Sequence, residues 1–257
     1  MFGRGCKPRP AKKQLTINFL KMKQIIIGLL LLLCNGVSYA TDFFPPPFTA
    51  EYKIYAAGIS AGVGTRTLIN LQDGKFQFQT VAKTTGFISF FKKIRIEEHS
   101  TFTQANGKIR PLKYTYRQTG SKTRFNEVLF DWVQKKAIST FKNQTKEISL
   151  REGMLDRLVY QVMLMQELKQ GKRQLSYVIA TKGKTVVYTP IFLGKEYIDT
   201  GVGRLETLKY KRQSSNNKRY TILWCAPTLH YLPVQIKHVE TDGDVFSMVL
   251  QSVRGLD

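Results

Sequence analysis

One short stretch of the chain collects residues that could do chemistry. Residues 222 to 240, "ILWCAPTLHYLPVQIKHVE", contain Cys225 together with His230 and His238, two of the chain's three histidines. A thiol beside an imidazole can act as a nucleophile when a third group orients the imidazole. Cysteine and histidine are also common zinc ligands, in sets of four for a structural site or three plus water for a catalytic one. The stretch therefore raises two hypotheses, nucleophilic catalysis and metal binding.

The surrounding residues favour a third interpretation, two β-strands joined by a turn. Pro227 and Pro233 mark strand ends, where a missing amide donor is tolerated. Alternation along the first strand places Cys225 and Trp224 on opposite faces, and His230 falls in or beside the connection. A lone cysteine is usually a buried small apolar residue. Whether Cys225 is reactive stays open at this point.

Other catalytic signatures are missing from the sequence. A metal site would also have to recruit His99, which lies far away in sequence on the polar face of a predicted strand. There is no Gly-x-Ser-x-Gly elbow, no phosphate-binding Gly-rich loop and no His-Glu-x-x-His motif. Glu97 and Glu98 are adjacent on a strand and so point to opposite faces, which prevents a paired-carboxylate site. We therefore expect a protein that is not an enzyme and that uses no metal and no cofactor.

The N-terminal residues resemble a secretory signal. Met22 and Lys23 give a positively charged start, residues 25–33 are apolar except for one glycine, and Ser38-Tyr39-Ala40 supplies the small residues read by a signal peptidase. The pattern predicts cleavage after Ala40 and a periplasmic location. Because the apolar run is about half the roughly 20 residues of a membrane-crossing helix, we expect no stable transmembrane span after cleavage. A retained membrane anchor is the alternative.

Two further alternatives concern the same segment. The residues before Met22 either lengthen the positive region of the signal or are an upstream extension from the wrong start codon, so that Met1 and Met22 both stay open. Cys34 would be acylated in a lipoprotein, but it follows Leu33, where lipoprotein processing normally requires a small residue. Cleavage after Ala40 removes Cys6 and Cys34. Cys225 is then the only thiol, and an intramolecular disulfide is impossible.

The charge of the chain limits its partners. The formal net charge is +22, and residues 41–257 retain 33 basic against 18 acidic residues, a net of +15. Such an excess favours association with anionic surfaces. In an exported protein these are lipid head groups, lipopolysaccharide phosphates or acidic polymers. Nucleic acid is excluded because no recognition motif is present, the basic residues are scattered and the compartment is wrong. The sequence identifies no protein partner.

Most of the chain after residue 48 has the period-two pattern of half-buried strands. In "DGKFQFQT" the pair Asp73-Gly74 marks a turn, after which Phe76 and Phe78 alternate with polar residues. Tyr114 and Tyr116 share a strand face further along. From residue 174 onward, strands return at intervals of about ten residues, separated by turn residues.

The pattern changes once, in "GMLDRLVYQVMLMQELKQGKR". Apolar residues at helical spacing predict an α-helix, and Gly171 with its flanking basic residues suits its C-terminus. Residues 162–165 make the middle of this helix apolar nearly all round, so we expect it to be covered on several sides. Met163 and Met165 adapt to irregular shapes and are common where apolar ligands bind.

These elements predict the fold class. We expect a mainly β protein in which a curved antiparallel sheet, or unclosed β-barrel, wraps one central α-helix. Residues 1–40 would form the N-terminal extension and signal peptide, with the signal proper at residues 22–40. Residues 41–257 would form a single domain, since no repeat, linker or composition shift marks a second one.

The order of motifs resembles the DUF3108 family of uncharacterised exported bacterial proteins. The resemblance implies a periplasmic protein whose curved sheet partly encloses a helix, similar in outline to the unclosed barrels of lipoprotein-carrier proteins. It implies no catalytic residues. Many members have a small polar residue soon after the aspartate that starts the helix, where this chain has Arg157-Leu158. The motifs that carry the resemblance are "EYKIYAAGISAGVGTRTL", "EEHSTF", "GKIRPLKYTYRQ", "GMLDRL" and "LWCAPTLHYLPVQIK".

Together these observations predict a non-catalytic periplasmic protein of the cell envelope. We expect it to bind a lipid or another apolar or amphipathic ligand inside the curved sheet, with Met163, Met165 and Trp224 as candidates for the pocket wall. An anionic envelope component is the partner class that the basic surface favours. The alternative is a periplasmic scaffold or assembly factor that contacts envelope proteins or peptidoglycan through its surface.

Overall fold

The computed structural model describes residues 1–3, 44–105, 107–213 and 219–256. The predicted signal at residues 22–40, the choice of start codon and Cys34 lie outside these ranges. Residues Asp42–Asp257 form one compact unit. Within the described ranges, no helix combines the length and the apolar character needed to cross a membrane.

The described residues form fifteen strands and two short α-helices. The helices are α1 (Ile88–Phe91) and α2 (Tyr160–Lys169), and a 3-10 turn covers Pro227–Leu229. The strands are β1 (Phe48–Ala56), β2 (Ile59–Asn70), β3 (Lys75–Thr84), β4 (Ile94–Ala105), β5 (Lys108–Gly120), β6 (Arg124–Asp131), β7 (Lys136–Phe141), β8 (Gln144–Ser149), β9 (Tyr177–Thr181), β10 (Lys184–Tyr188), β11 (Ile191–Thr200), β12 (Gly203–Gln213), β13 (Tyr220–Ala226), β14 (Leu232–Val239) and β15 (Val245–Arg254).

Thirteen strands make one antiparallel sheet, in the order β11-β12-β13-β14-β15-β1-β2-β3-β4-β5-β6-β7-β8. The first and last strands pair at its middle, with Ala50 opposite Val253. The edge strands β8 and β11 do not pair with each other, so the curved sheet is unclosed. The β9–β10 hairpin forms a separate two-stranded sheet, and its Gly183 amide donates to Ser139 Oγ of β7 at 2.9 Å. The predicted fold class is confirmed.

The period-two pattern separates an inner face from an outer one. Inner residues such as Leu68, Phe78, Phe102, Tyr114 and Val128 are almost fully buried in one hydrophobic core. Their neighbours along each strand point outward and are partly or fully exposed. The alternation predicted around Phe78 and Tyr114 is therefore present in the structure.

Helix α2 begins later than its apolar spacing suggests. Leu155 forms a β-bridge with Ile179: its amide donates to the Val178 carbonyl at 2.8 Å, and its carbonyl accepts from Ala180 at 2.9 Å. These bonds hold the preceding segment in a non-helical conformation, so the helix starts at Tyr160. Its end agrees with the prediction, because Gly171 has a φ of +77°, a conformation that glycine adopts without strain.

The helix is enclosed as its sequence indicated. Six of its ten residues are buried, and none of the ten is exposed. Gln161 near its start accepts a hydrogen bond from Arg66 of β2 at 2.7 Å. Gln166 donates to the Gly107 carbonyl at 2.8 Å. Strand β2 and the β4–β5 connection, both far from α2 in sequence, thus form hydrogen bonds with side chains of the helix.

The two ends of the sheet carry different connections. We call one end the tip end; the β1–β2, β3–β4, β5–β6, β7–β8 and β14–β15 connections lie there. The β2–β3, β4–β5, β6–β7 and β13–β14 connections lie at the opposite end, which we call the base end. The start of α2 faces the tip end, because its last residues approach the β4–β5 and β13–β14 connections, with Lys169 Nζ 3.3 Å from His230 Nδ1.

Candidate functional site

The three candidate wall residues do not converge. Met165 is 1% exposed inside the core, and Met163, also on α2, is partly buried against it. Trp224 lies on the outer face of the sheet, because its neighbours Leu223 and Cys225 occupy the inner face. The structure therefore places the two methionines on α2, inside the curved sheet, and Trp224 on the outer face of β13.

Trp224 is nonetheless buried, because the β11–β12 hairpin covers it. Its Nε1 donates to Glu196 Oε2 at 2.9 Å, and the Lys209 ammonium lies 5.1 Å from the ring centre. At the end of this hairpin the Gly201 amide donates to the Leu250 carbonyl at 2.8 Å. A Cβ at Gly201 would stand 2.3 Å from the Gln251 carbonyl oxygen, so this close approach requires glycine.

The cysteine and histidines of residues 222–240 have separate environments. Cys225 is fully buried, and burial raises the pKa of its thiol to about 12. His230 has a φ of 50° in the β13–β14 connection and contacts Lys169. His238 Nδ1 lies 2.9 Å from Thr221 Oγ1. Over the described ranges, no three His, Cys, Asp or Glu side chains are grouped so that they could hold a metal ion.

His99 lies on the outer face of β4, as predicted. It lines a surface depression of about 370 Å³ together with carboxylates and cations, among them Glu127 and Lys113, which form an ion pair at 2.8 Å. Because acidic and basic groups neutralise each other there, this depression has no marked preference for an anion.

A row of polar side chains crosses the inner face of the sheet. The strand register aligns Arg66 with Thr80, Thr80 with Glu98, Glu98 with Tyr116, and Tyr116 with Asn126. We call these five residues the polar row. Core residues such as Leu68 and Val128 occupy the next inner position toward the base end. The interior of the sheet is therefore apolar toward its base and polar near the start of α2.

Three arginines, one of them Arg66 of the polar row, lie around Tyr160, the first residue of α2. Burial raises the pKa of the Tyr160 hydroxyl, and the positive charges of all three arginines oppose that rise. They come from three separate segments: Arg66 from β2, Arg157 from the turns before α2, and Arg212 from β12. We call these three residues the arginine cluster.

Several hydrogen-bond donors of the arginine cluster have no partner. Arg66 is 2% exposed; its Nη2 donates to Gln161 at 2.7 Å, while its buried Nη1 has none. Arg212 Nη2 donates to Thr221 at 2.8 Å, while its buried Nε has none. The amide nitrogen and oxygen of Asn126 in the polar row are likewise buried without a partner. Unpaired buried polar groups cost free energy, so such a group indicates a missing ligand or water.

Two carboxylates lie near the arginine cluster, and the charge of Glu98 acts on Arg157. Glu98 accepts a hydrogen bond from Tyr114 at 2.6 Å. Asp156 is fully buried, and burial raises its pKa to about 6 against the effect of hydrogen bonds from Ser100, Val159 and Leu158. Among the ion pairs within 4.0 Å that the described residues form, none includes a member of the arginine cluster.

A basic pocket opens beside the polar row at the tip end of the sheet. It has a volume of about 320 Å³, and its lining contains no carboxylate. Two ammonium groups lie near the Phe141 ring, that of Lys182 at 4.9 Å and that of Lys142 at 5.7 Å from the ring centre. We call it the lysine pocket; its lining residues are Ser139, Phe141, Lys142, Gln144, Lys146, Lys182 and Gly183.

Lys182 links the lysine pocket to the arginine cluster. Its pKa is lowered by partial burial and then by the positive charges of Arg157, Arg219, Arg124 and Lys142. Among the described ion pairs, none involves Lys142, Lys146 or Lys182. Like charges held close together are destabilising unless an anion neutralises them. The geometry suits a phosphate or carboxylate group.

Sequence reasoning missed this site, although a signal was present. In "GVGTRTLIN" Arg66 occupies the same alternating phase as the buried Leu68, and in "LKYKRQ" Arg212 follows Leu208 and Tyr210 in phase. An arginine in the apolar phase of a strand marks a buried cation. The position of Arg157, by contrast, depends on the turns that precede α2.

These features define a β-barrel-like protein with one enclosed helix and a cationic interior at one end. The chain belongs to the family described as "Protein of unknown function (DUF3108)", whose family model matches residues 51–251. The resemblance noted from the sequence motifs is thereby confirmed. A search of the curated proteins finds no match.

One of the solved structures has a similar fold. The chain is similar to a beta-barrel-like protein of the domain of unknown function DUF1849 from Brucella abortus, with a TM-score of 0.52 and 9% identity over 81% of this chain and 97% of that one. At this identity the similarity concerns the fold alone. A "putative lipoprotein" from Parabacteroides distasonis matches with a TM-score of 0.31 and 13% identity, over 82% of this chain and 98% of that one.

Proposed function

We propose that the protein is an exported, non-catalytic component of the bacterial cell envelope that binds an anionic amphiphile at the lysine pocket. The observation that carries the proposal is the lysine pocket itself, which three lysines and no carboxylate line. The signal-like segment at residues 22–40 supports export to the periplasm. The net positive charge supports an anionic partner.

The chemistry of the pocket suits an acidic head group. Lys142, Lys146 and Lys182 supply point charges, Ser139 and Gln144 supply hydrogen bonds, and Phe141 supplies an apolar surface. A volume of about 320 Å³ is at the small end of the range for ligand pockets. It therefore accommodates a phosphate or carboxylate with its first carbon atoms, and an attached acyl chain would extend beyond it.

Arg157 of the arginine cluster adds positive charge to the site. Arg157 lies close enough to Lys182 to lower its pKa, so an anion at Lys182 also gains attraction from Arg157. Binding would relieve repulsion that the unliganded protein carries among these groups. We propose no role for Cys225 as a nucleophile. It is the one thiol of the described residues, and it is buried with a pKa raised to about 12. A buried neutral thiol is a poor nucleophile.

The experiment uses protein purified from the envelope fraction of cells that express the full chain. Native mass spectrometry and organic extraction would identify any lipid that co-purifies. The protein would then be titrated with dodecyl phosphate, with dodecyl maltoside as a neutral amphiphile of the same chain length, and with inorganic phosphate. We expect dodecyl phosphate to bind most tightly.

Two matched variants test the position of the site. In one, Lys142, Lys146 and Lys182 are replaced by glutamine; in the control, Lys75, Lys108 and Lys135 at the base end are replaced by glutamine. Lys135 matches Lys142 because both lie in turns with a positive φ, 55° and 52°. We expect the first variant to bind dodecyl phosphate at least about tenfold more weakly, and the control to bind it as the wild type does. A lipid-free mass with no dodecyl phosphate binding would overturn the proposal and favour a scaffold.

A further inference from the structure

Three phenylalanines are exposed at the tip end of the sheet. They lie in the β3–β4 connection, in and beside α1, which contains no buried residue. Phe87 is 74% exposed, Phe90 83% and Phe91 75%. Isolated apolar residues on a surface are common, whereas a contiguous apolar patch marks an interaction site. Phe87 and Phe91 form such a contiguous surface, with ring centres 4.9 Å apart.

The connection that carries these rings is anchored to the sheet. The Thr85 amide donates to the Ala61 carbonyl of β2 at 3.1 Å. On the other side, the Ser121 amide donates to the Lys93 carbonyl at 2.8 Å. A Cβ at Gly120 would stand 2.0 Å from that same carbonyl oxygen, so glycine permits this approach. The three rings are therefore displayed by an ordered turn.

Positive charge surrounds the β3–β4 connection, residues 85–93, which we call the aromatic turn. Lys92 and Lys93 follow directly, and Lys83 and Lys122 are exposed on the adjoining strand and turn. Residues 85–93 contain no acidic residue. The nearest carboxylate along β4, Glu97, is paired with Arg95 at 2.7 Å. The end of the molecule thus combines protruding aromatic rings with uncompensated lysines.

We propose that this turn docks the protein onto an anionic lipid membrane. Phenylalanine is among the apolar side chains with which surface-bound proteins enter the boundary between head groups and acyl chains, and lysines beside it gain attraction from anionic lipids. A convex turn can insert into a lipid surface, whereas a stable protein interface needs about 800 Å² on each partner. Charge complementarity therefore identifies an anionic bilayer as the partner of this surface.

The exposed apolar surface continues next to the turn. Ile59 and Val63 of β2 are 63% and 43% exposed. Val63 lies opposite Lys83 in the strand register, which places it beside the β3–β4 connection. Docking would orient the tip end of the sheet toward the membrane. The lysine pocket lies at that same end, but membrane docking rests on the aromatic turn and does not require a ligand in the pocket.

The test is co-sedimentation of the purified protein with vesicles. One set contains about 30% phosphatidylglycerol in phosphatidylcholine, and the other contains phosphatidylcholine alone. We expect binding to the anionic set that weakens as salt is added, because salt screens the lysines. The variant with Phe87, Phe90 and Phe91 replaced by serine should bind at least about tenfold more weakly. The Lys92→Gln, Lys93→Gln variant should bind roughly 30-fold more weakly, since each lysine near the surface contributes about fivefold.

Controls separate docking from general effects on the protein. Val133→Ser and Leu193→Ser replace exposed apolar residues elsewhere, 94% and 48% exposed, and should leave vesicle binding unchanged. Phe90→Trp provides a direct readout, because brominated phospholipids should quench the fluorescence of a tryptophan inserted at this position. The same melting temperature in the serine variant and the wild type would show that the fold is intact.

Three outcomes would overturn membrane docking: equal binding of the wild type and the triple serine variant, no binding of the wild type to anionic vesicles at low salt, or no quenching of the tryptophan at position 90. The lysine-pocket variant should still bind vesicles through its aromatic turn. Loss of dodecyl phosphate binding without loss of vesicle binding would therefore separate the two proposals.

Discussion

The guanidinium carbon of Arg212 lies 4.1 Å from the centre of the Tyr188 ring. This stacking contact joins β12 of the large sheet to β10 of the separate hairpin, two elements with no strand pairing between them. The same guanidinium donates to Thr221 of β13 at 2.8 Å. Arg212 thereby holds the hairpin over the interior at the start of α2.

The stacking contact should stabilise the fold measurably. We expect Tyr188→Leu to lower the free energy of unfolding by about 1–2 kcal/mol, because it removes a partly desolvated cation–π contact. Tyr188→Phe keeps the ring and should retain most of that stability. Urea denaturation of the three proteins measures the difference. Equal losses in both variants would show that the hydroxyl, and not the ring, stabilises this contact.

The carboxyl group of Asp156 should make stability depend on pH. Burial raises its pKa from 3.8 to about 6. Below about pH 3 the group is protonated in both the folded and the unfolded state. As the pH rises through 6, the folded state must ionise a buried acid, so the stability that is present at low pH is lost. A shift of two pKa units corresponds to roughly 3 kcal/mol in the free energy of unfolding.

Asp156→Asn isolates this effect. The asparagine oxygen can still accept from the Leu158 and Val159 amides, which now donate to Asp156 at 2.8 Å. We expect the free energy of unfolding of the variant, relative to that of the wild type, to increase by about 2–3 kcal/mol between pH 4 and pH 7. Urea denaturation at intervals across this range gives the value. A difference that stays constant with pH would contradict the raised pKa of Asp156.

The thiol of Cys225 should be unreactive in the folded protein. It is fully buried, and its pKa is raised to about 12, so almost no thiolate exists at neutral pH. We expect no labelling of the exported protein by iodoacetamide at pH 8, and one labelled thiol after unfolding in guanidinium chloride. Mass spectrometry counts the adducts. The Cys225→Ala variant should lack the adduct gained on unfolding, and rapid labelling of folded wild type would disprove burial of the thiol.

Trp224 should contribute to stability and not to ligand binding. Trp224→Phe keeps an aromatic ring beneath Lys209 and removes the hydrogen bond to Glu196, so we expect a loss of about 1 kcal/mol in the free energy of unfolding. Met165→Ala, on the core-facing side of α2, should cost about 2–5 kcal/mol. Lipid extraction from both variants tests whether Trp224 contributes to ligand binding. Loss of co-purifying lipid in Trp224→Phe alone would identify the outer face as the ligand site.

Local patterns in the sequence were sufficient to predict the elements and their buried faces. Period-two alternation placed Phe76 and Phe78 on one strand face and Tyr114 and Tyr116 on another, and Phe78 and Tyr114 are buried in the core. The helix was predicted from its spacing, and its end at Gly171 was correct. Its start was predicted too early, because the β-bridge of Leu155 with Ile179 depends on a strand that follows the helix.

What the sequence by itself determined is therefore the mainly β class, one enclosed helix, the membership of each side chain in one face or the other, and a strongly basic chain. The tertiary structure alone decided which of those faces meet. It paired β1 with β15 across nearly the whole domain, brought Arg66, Arg157 and Arg212 together at Tyr160, and moved Trp224 away from the methionines of α2. The physical reason is that periodicity encodes the direction of a side chain relative to its own strand. The neighbours of that side chain depend on strand order and curvature, which arise from contacts between residues far apart in the chain.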